Sequence, residues 1–136
     1  MRPGRIDRID LGIDVPAIPA EALAIGALTQ SGNSKTVGTS VSADVRTQVS
    51  AARSLRTSRQ GKPNARLAPR EIEAHCAIDN TAAALLAQAM ARLSLSARAY
   101  HRILKVARTI ADLAGANTIR VPHVTEAIGY RRLDRM

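Results

Sequence analysis

The chain has 136 residues, which is enough for one modest domain but too few for a complete nucleotide-hydrolysing module with an accessory domain. Its formal net charge of +9 has two equally good explanations: contact with a polyanion (nucleic acid, a nucleotide or an acidic partner), or a general excess of arginine in the composition. The absence of Trp and Phe disfavours a platform for stacking bases. The single cysteine excludes an internal disulfide, and no apolar run reaches the roughly 20 residues of a membrane span, so a cytoplasmic protein is expected.

The first predicted element is a β-strand within residues 5–16. Four apolar residues there alternate with Asp or Gly, which is the pattern of a half-buried strand. They are Ile9, Leu11, Ile13 and Val15. A single strand is not stable alone, and no convincing second strand follows. We therefore interpret residues 1–19 as the remnant of a core whose other strands lie upstream or in another chain.

Residues 20–40 are rich in Ala, Gly, Ser and Thr, which predicts a flexible linker. The Lys35-Thr36 pair in this stretch lacks the glycine spacing of a phosphate-binding loop and follows no buried strand. A phosphate-binding loop is absent from the rest of the sequence too, as is an apolar strand ending in paired acids that could hold Mg²⁺. The chain by itself is therefore not expected to be an enzyme.

Residues 41–136 are predicted to form a domain of four or five helices. Ser42 is a candidate N-cap for a helix that ends near Gln60 and Gly61. The starts of three further helices are marked by Pro69, Asp79 and Pro122. Because the core must be built from aliphatic and alanine side chains, a compact all-α bundle is favoured over a β-sandwich.

The most informative helix lies between Ser96, a good N-cap, and Gly115, which suits a left-handed C-terminal cap. Its apolar residues recur at spacings of three and four and predict one buried face. They are Tyr100, Ile103, Leu104, Ala107, Ile110, Ala111 and Ala114. Arg98 and Arg102 fall on the other side, with Arg108 and Asp112 flanking the apolar stripe. From spacing alone, the arginines are either a solvated basic face or a phosphate-binding surface.

The stretch from Leu95 to Gly115, together with residues 123–128 and 130–135, closely resembles the C-terminal lid of magnesium-chelatase-like AAA+ ATPases of the ComM and YifB type. The motif Asp7-Arg8-Ile9-Asp10-Leu11 is similar to the end of their nucleotide-binding core. The resemblance implies an all-α, AAA+ lid-type bundle. In such a protein the lid senses nucleotide and helps to assemble a hexameric ring.

The resemblance also implies roles for three arginines. Arg98 takes the position of the sensor-2 arginine, which reaches the γ-phosphate of bound ATP, and Arg102 lies beside it as a second nucleotide-binding candidate. Arg8 is the candidate for the arginine finger, which completes the site of a neighbouring subunit. The alternative for Arg8 is an ion pair with Asp7, Asp10 or a neighbouring helix. ATP and Mg²⁺ are thus cofactors of the parent ATPase, and none is expected on this chain alone.

DNA is a further expected partner, since family members of the ComM type act on DNA. The terminal arginines Arg131, Arg132 and Arg135 are weak candidates for phosphate contacts, because cations are ordinary at a helix C-terminus. Two other interpretations remain open: a free-standing basic DNA-binding module, and the lid of a metal-chelatase subunit. No metal site is expected, because the three histidines lack the spacing of metal ligands.

Overall fold

A computed structural model describes residues 9–29 and 37–131, with the backbone alone described at 25–29 and 37–40. Within these ranges the chain forms α-helices and no β-sheet, which confirms the predicted all-α, lid-type fold. The helices are α1 (Ala20–Thr29), α2 (Val37–Gln60), α3 (Pro69–His75), α4 (Asn80–Leu93), α5 (Ala97–Leu113) and α6 (Val121–Gly129), with a short 3-10 turn at Asn64–Arg66. In the described residues, no helix is long and apolar enough to cross a membrane.

Helix α5 is the centre of the domain. It packs against α6, α2, α3 and the 3-10 turn, while α4 packs against α6. The fully buried aliphatic side chains include Ile72, Leu86, Ile103, Ile119 and Val124. A parallel β-bridge between Ile78 and Ile119 joins the loop before α4 to the loop before α6, so that these two helices start side by side.

The predicted helix ends of α4 and α5 are confirmed. The hydroxyl of Ser96 accepts a hydrogen bond from the amide of Ala99 at 3.2 Å, and the carboxylate of Asp79 accepts one from Ala82 at 2.7 Å. Gly115 adopts a left-handed conformation, with φ of +70°. Such caps depend on a few neighbouring residues, so the sequence is sufficient to locate them.

The strand prediction is wrong for the described part of the N-terminal segment. Residues 9–19 have no regular secondary structure, and the side chains of Ile13 and Val15 are 70% and 80% exposed. The amide of Gly12 donates to the carbonyl of Tyr130 at 2.9 Å, but no strand ladder forms there. An alternating pattern specifies a strand only where a partner strand is present to pair with its backbone. The assignment of residues 1–19 to an ATPase core stays a prediction.

The linker prediction for residues 20–40 is also wrong where the chain is described. Ala20–Thr29 is a helix, and α2 begins at Val37 rather than at Ser42. Alanine, leucine and glutamate are strong helix formers, and they outweigh the single Gly26 in α1. Ser42 lies inside α2, because serine side chains also fit within helices and mark only possible starts.

Candidate functional site

The first turn of α5 places Arg98 on the surface. Ser96 caps the helix, so Arg98 is the second helical residue and its side chain is exposed. The N-terminal turn of a helix carries partial positive charge and unsatisfied amides, which favour a nearby anion. The predicted phosphate-sensing arginine therefore lies where a phosphate can reach it.

Arg102 lies one turn after Arg98, on the same face of α5. Its Nε is 3.3 Å from a carboxylate oxygen of Asp10, and the side chains are 17% and 48% exposed. This ion pair ties the N-terminal segment to α5. Of the two arginines, Arg98 has the more exposed side chain.

The C-terminal half of α5 contains a buried polar cluster around Asp112. Its carboxylate accepts hydrogen bonds from both terminal nitrogens of Arg59, at 2.8 and 3.1 Å, and from the side-chain amide of Asn64 at 3.0 Å. The Nε of Arg108 donates to it at 3.1 Å. The side chains of Arg108 and Asp112 are only 2% and 1% exposed. We call these four residues the Asp112 cluster.

The Asp112 cluster connects three parts of the chain. Arg59 belongs to the last turn of α2, Asn64 to the 3-10 turn, and Arg108 to α5. Arg108 also donates to the backbone carbonyls of Ala116 and Asn117, at 2.6 and 2.9 Å, and so holds the loop after α5. The cluster therefore fixes α2 and this loop to α5.

The charge balance explains why Asp112 stays ionised. Burial raises its pKa, but hydrogen bonds from Arg59 and Asn64 and the positive charge of Arg108 outweigh burial and hold the pKa below its ordinary value. Two guanidinium groups surround one carboxylate, and each of the three guanidinium nitrogens of Arg108 donates a hydrogen bond. Such a saturated group acts as a structural anchor and is a poor candidate for acid–base chemistry.

Sequence reasoning missed this cluster. The predicted buried stripe includes Ala114, which is exposed, whereas Arg108 and Asp112 are buried instead of flanking the stripe. A signal was present, because Leu104, Arg108 and Ala111 share helical spacing and the Arg-Asp pair is four residues apart. That spacing places a possible ion pair inside the apolar face.

The remaining predicted site residues are less informative. Arg131 is only 8% exposed, so its placement does not support the predicted DNA contact. Arg8, Arg132 and Arg135 lie outside the described residues. Burial raises the pKa of the Cys76 thiol, which keeps it protonated and unreactive. Among the described residues, no group of three His, Cys, Asp or Glu side chains could hold a metal ion.

The chain is similar to known proteins over almost its whole length. Residues 39–131, more than half of the chain, match the model for the C-terminal domain of magnesium chelatase, subunit ChlI. The chain is 44% identical over 131 residues to Competence protein ComM of Haemophilus influenzae, and 41% identical to an uncharacterized protein YifB of Salmonella typhimurium over 131 residues and of Escherichia coli over 133. Each match covers 96% of this chain and 24% of the relative, so the chain spans about a quarter of their length.

Proposed function

Since the chain belongs to the family of magnesium chelatase ChlI C-terminal domains, of the ComM and YifB type, we propose that it works as the lid of an AAA+ ATPase. In this role it senses the nucleotide bound by the ATPase core and contributes to assembly of a ring. ATP and Mg²⁺ are held by the core, and hydrolysis requires that core. The proposal applies to the chain as one region of a larger machine.

The observation that carries the proposal is the position of Arg98. It is exposed on the first turn of a capped helix, at the place where the family resemblance puts the sensor-2 arginine. A guanidinium there offers several donors to the γ-phosphate in a fixed planar arrangement, which a lysine does not. The Asp112 cluster supports the site indirectly, because it makes α5 a rigid part of the domain.

Arg102 has a different role in this proposal. Its ion pair with Asp10 engages the guanidinium with a carboxylate of the N-terminal segment. In the resemblance that segment is the end of the nucleotide-binding core, so the pair is suited to orient the lid relative to the core. We assign the phosphate contact to Arg98, because it takes the sensor-2 position in the resemblance, and a positioning role to Arg102. The arginine-finger role of Arg8 remains a prediction.

Action of the parent protein on DNA is the second part of the proposal. Its support is the net charge of +9 and the similarity to a protein named for competence. An arginine-rich composition is an equally good explanation of the charge, so the charge alone does not decide the partner. A direct measurement of DNA binding by the chain distinguishes the two explanations.

The lid function can be tested with a chimera in which this chain replaces the matching quarter of Haemophilus influenzae ComM. We expect the chimera to hydrolyse ATP within about tenfold of the intact relative, and the relative truncated at the same point to be at least about 100-fold slower, as expected when a phosphate-binding donor is lost. Equal rates for the chimera and the truncated protein would contradict the proposal.

A further inference from the structure

The C-terminal half of α2 and the turn after it form the most basic stretch of the chain. From Val45 to Leu67 the sequence contains six cations and no acidic residue. They are Arg46, Arg53, Arg56, Arg59, Lys62 and Arg66. A run of like charges is costly unless solvent or an anion compensates it.

The fold neutralises two of them. Arg59 is bound by Asp112, and Lys62 forms an ion pair with Glu71. The side chains of Arg53 and Arg56 take part in no hydrogen bond or ion pair within the described part of the chain, and the Nε of Arg56 is buried without a partner there. Leaving a buried donor unsatisfied is destabilising, and more so when the group is charged. The terminal nitrogens of Arg56 are not among the buried atoms, so they are the part of this guanidinium that an external acceptor can reach.

A groove brings these cations together. It is a cavity of about 290 Å³, lined on one side by α2 and on the other by the turn at Gly61. Gly61 has a φ of +71°, a left-handed conformation that turns the chain back so that Lys62 lies across the groove from the helix. Arg53, Arg56 and Thr57 face it from α2. The Thr57 hydroxyl donates to the carbonyl of Arg53, so the guanidinium and ammonium groups are the donor set that the groove offers to phosphate oxygens.

The groove is separate from the surface around Arg98. Arg59 contacts Asp112 at the C-terminal end of α5, and Arg53 and Arg56 lie within two turns of Arg59 on α2. Arg98 is 14 residues before Asp112, which corresponds to about 21 Å along α5. Arg98 and the end of α5 at which Arg59 anchors α2 are therefore too far apart for one phosphate to contact both.

We propose that this groove binds the phosphate backbone of double-stranded DNA. A lone nucleotide would need a pocket for its base, but the side chains that line the groove include no aromatic ring. Arg46 is also exposed and lies on the same side of α2 as Arg53, about 10 Å closer to the start of the helix at 1.5 Å per residue. The cations therefore form a row suited to successive phosphates of a polymer. The contacts would not read sequence, because they address phosphates and not base edges.

The test is a titration of a fluorescein-labelled 20-base-pair DNA duplex with the complete 136-residue chain at several salt concentrations. The variant carries Arg53→Ala and Arg56→Ala, and the matched control carries Arg92→Ala and Arg120→Ala, which remove the same charge from exposed positions elsewhere. We expect the groove variant to bind at least about 10-fold more weakly than the control, with the slope of log affinity against log salt reduced by about 2, since each phosphate contact contributes about 0.9.

The groove proposal rests on the DNA part of the proposed function, and the outcomes of the titration distinguish failure of the groove from failure of the DNA role. Equal binding by the two double variants would overturn the groove and leave the DNA role intact. Low salt, about 50 mM, favours phosphate contacts. If the wild-type chain does not bind the duplex under that condition, both the groove and the DNA role are overturned. Displacement of the duplex by equimolar ATP would overturn the groove as a DNA site and assign it to a nucleotide.

Discussion

Replacing Asp112 with alanine is expected to lower the free energy of unfolding by about 3–5 kcal/mol. The substitution leaves the guanidinium of Arg108 buried without its counter-charge, because that side chain is only 2% exposed. It also removes the acceptor for Arg59 and Asn64. Urea denaturation at pH 7 measures the change, and the loss is large against a typical domain stability of about 5–15 kcal/mol.

Asp10→Ala is the matched control for this measurement. It also removes an aspartate from an arginine ion pair, but Asp10 is 48% exposed, so its carboxylate is much more accessible to water than that of Asp112. A pair of this kind is worth about 0–1 kcal/mol, so the control should change stability by no more than that. If Asp112→Ala costs as little as Asp10→Ala, the Asp112 cluster is not a structural anchor.

The pH dependence of stability provides a second readout of the same carboxylate. Because the pKa of Asp112 is lower in the folded chain than in the unfolded chain, its contribution is fully present above about pH 4 and is lost as the pH falls through the folded pKa. The difference in unfolding free energy between the wild type and Asp112→Ala should therefore shrink below about pH 4. A difference that stays constant down to pH 2 would contradict this account.

Arg98→Ala in the ComM chimera is expected to reduce ATP turnover by about 100-fold or more, a loss typical of removing a donor that stabilises developing charge. The affinity for ATP should fall while the affinity for ADP is unchanged, since ADP lacks the γ-phosphate that Arg98 is proposed to contact. Arg98→Lys should restore only part of the activity, because an ammonium lacks the guanidinium fork.

Arg92→Ala is the matched control for Arg98→Ala, because Arg92 is an exposed arginine in the last turn of α4. It should leave ATP turnover within about twofold of the chimera, as expected of a solvated surface charge. If Arg98→Ala leaves turnover and ATP affinity equally unchanged, Arg98 is a solvated residue. This is the alternative that charge and spacing alone left open.

Local features of the fold could be predicted from the sequence. The caps at Asp79, Ser96 and Gly115 depend on hydrogen bonds and backbone geometry within one turn, so a few residues specify them. Local residues could not decide whether residues 5–16 form a strand, because strand formation depends on a partner strand that is far away in the sequence. The described part of that segment, from residue 9 on, instead runs as an irregular chain fixed to α5 and Tyr130.

The candidate site shows the same limit. Exposure of Arg98 follows from the apolar stripe of α5 and was predictable. The spacing of Arg108 and Asp112 indicates a possible ion pair, but their burial could not be predicted, because it arises only when Arg59 and Asn64 dock across α5 from elsewhere in the chain. The pairing of Arg102 with Asp10 likewise joins residues 92 positions apart. Helical spacing identifies a face, but it does not identify what covers that face.

The most direct test of the lid account is a structure of the ComM chimera with Mg²⁺ and a non-hydrolysable ATP analogue. The account predicts that the guanidinium of Arg98 lies at hydrogen-bonding distance, about 2.7–3.2 Å, from a γ-phosphate oxygen. An ordered nucleotide with Arg98 directed into solvent, and another residue at the γ-phosphate, would contradict it.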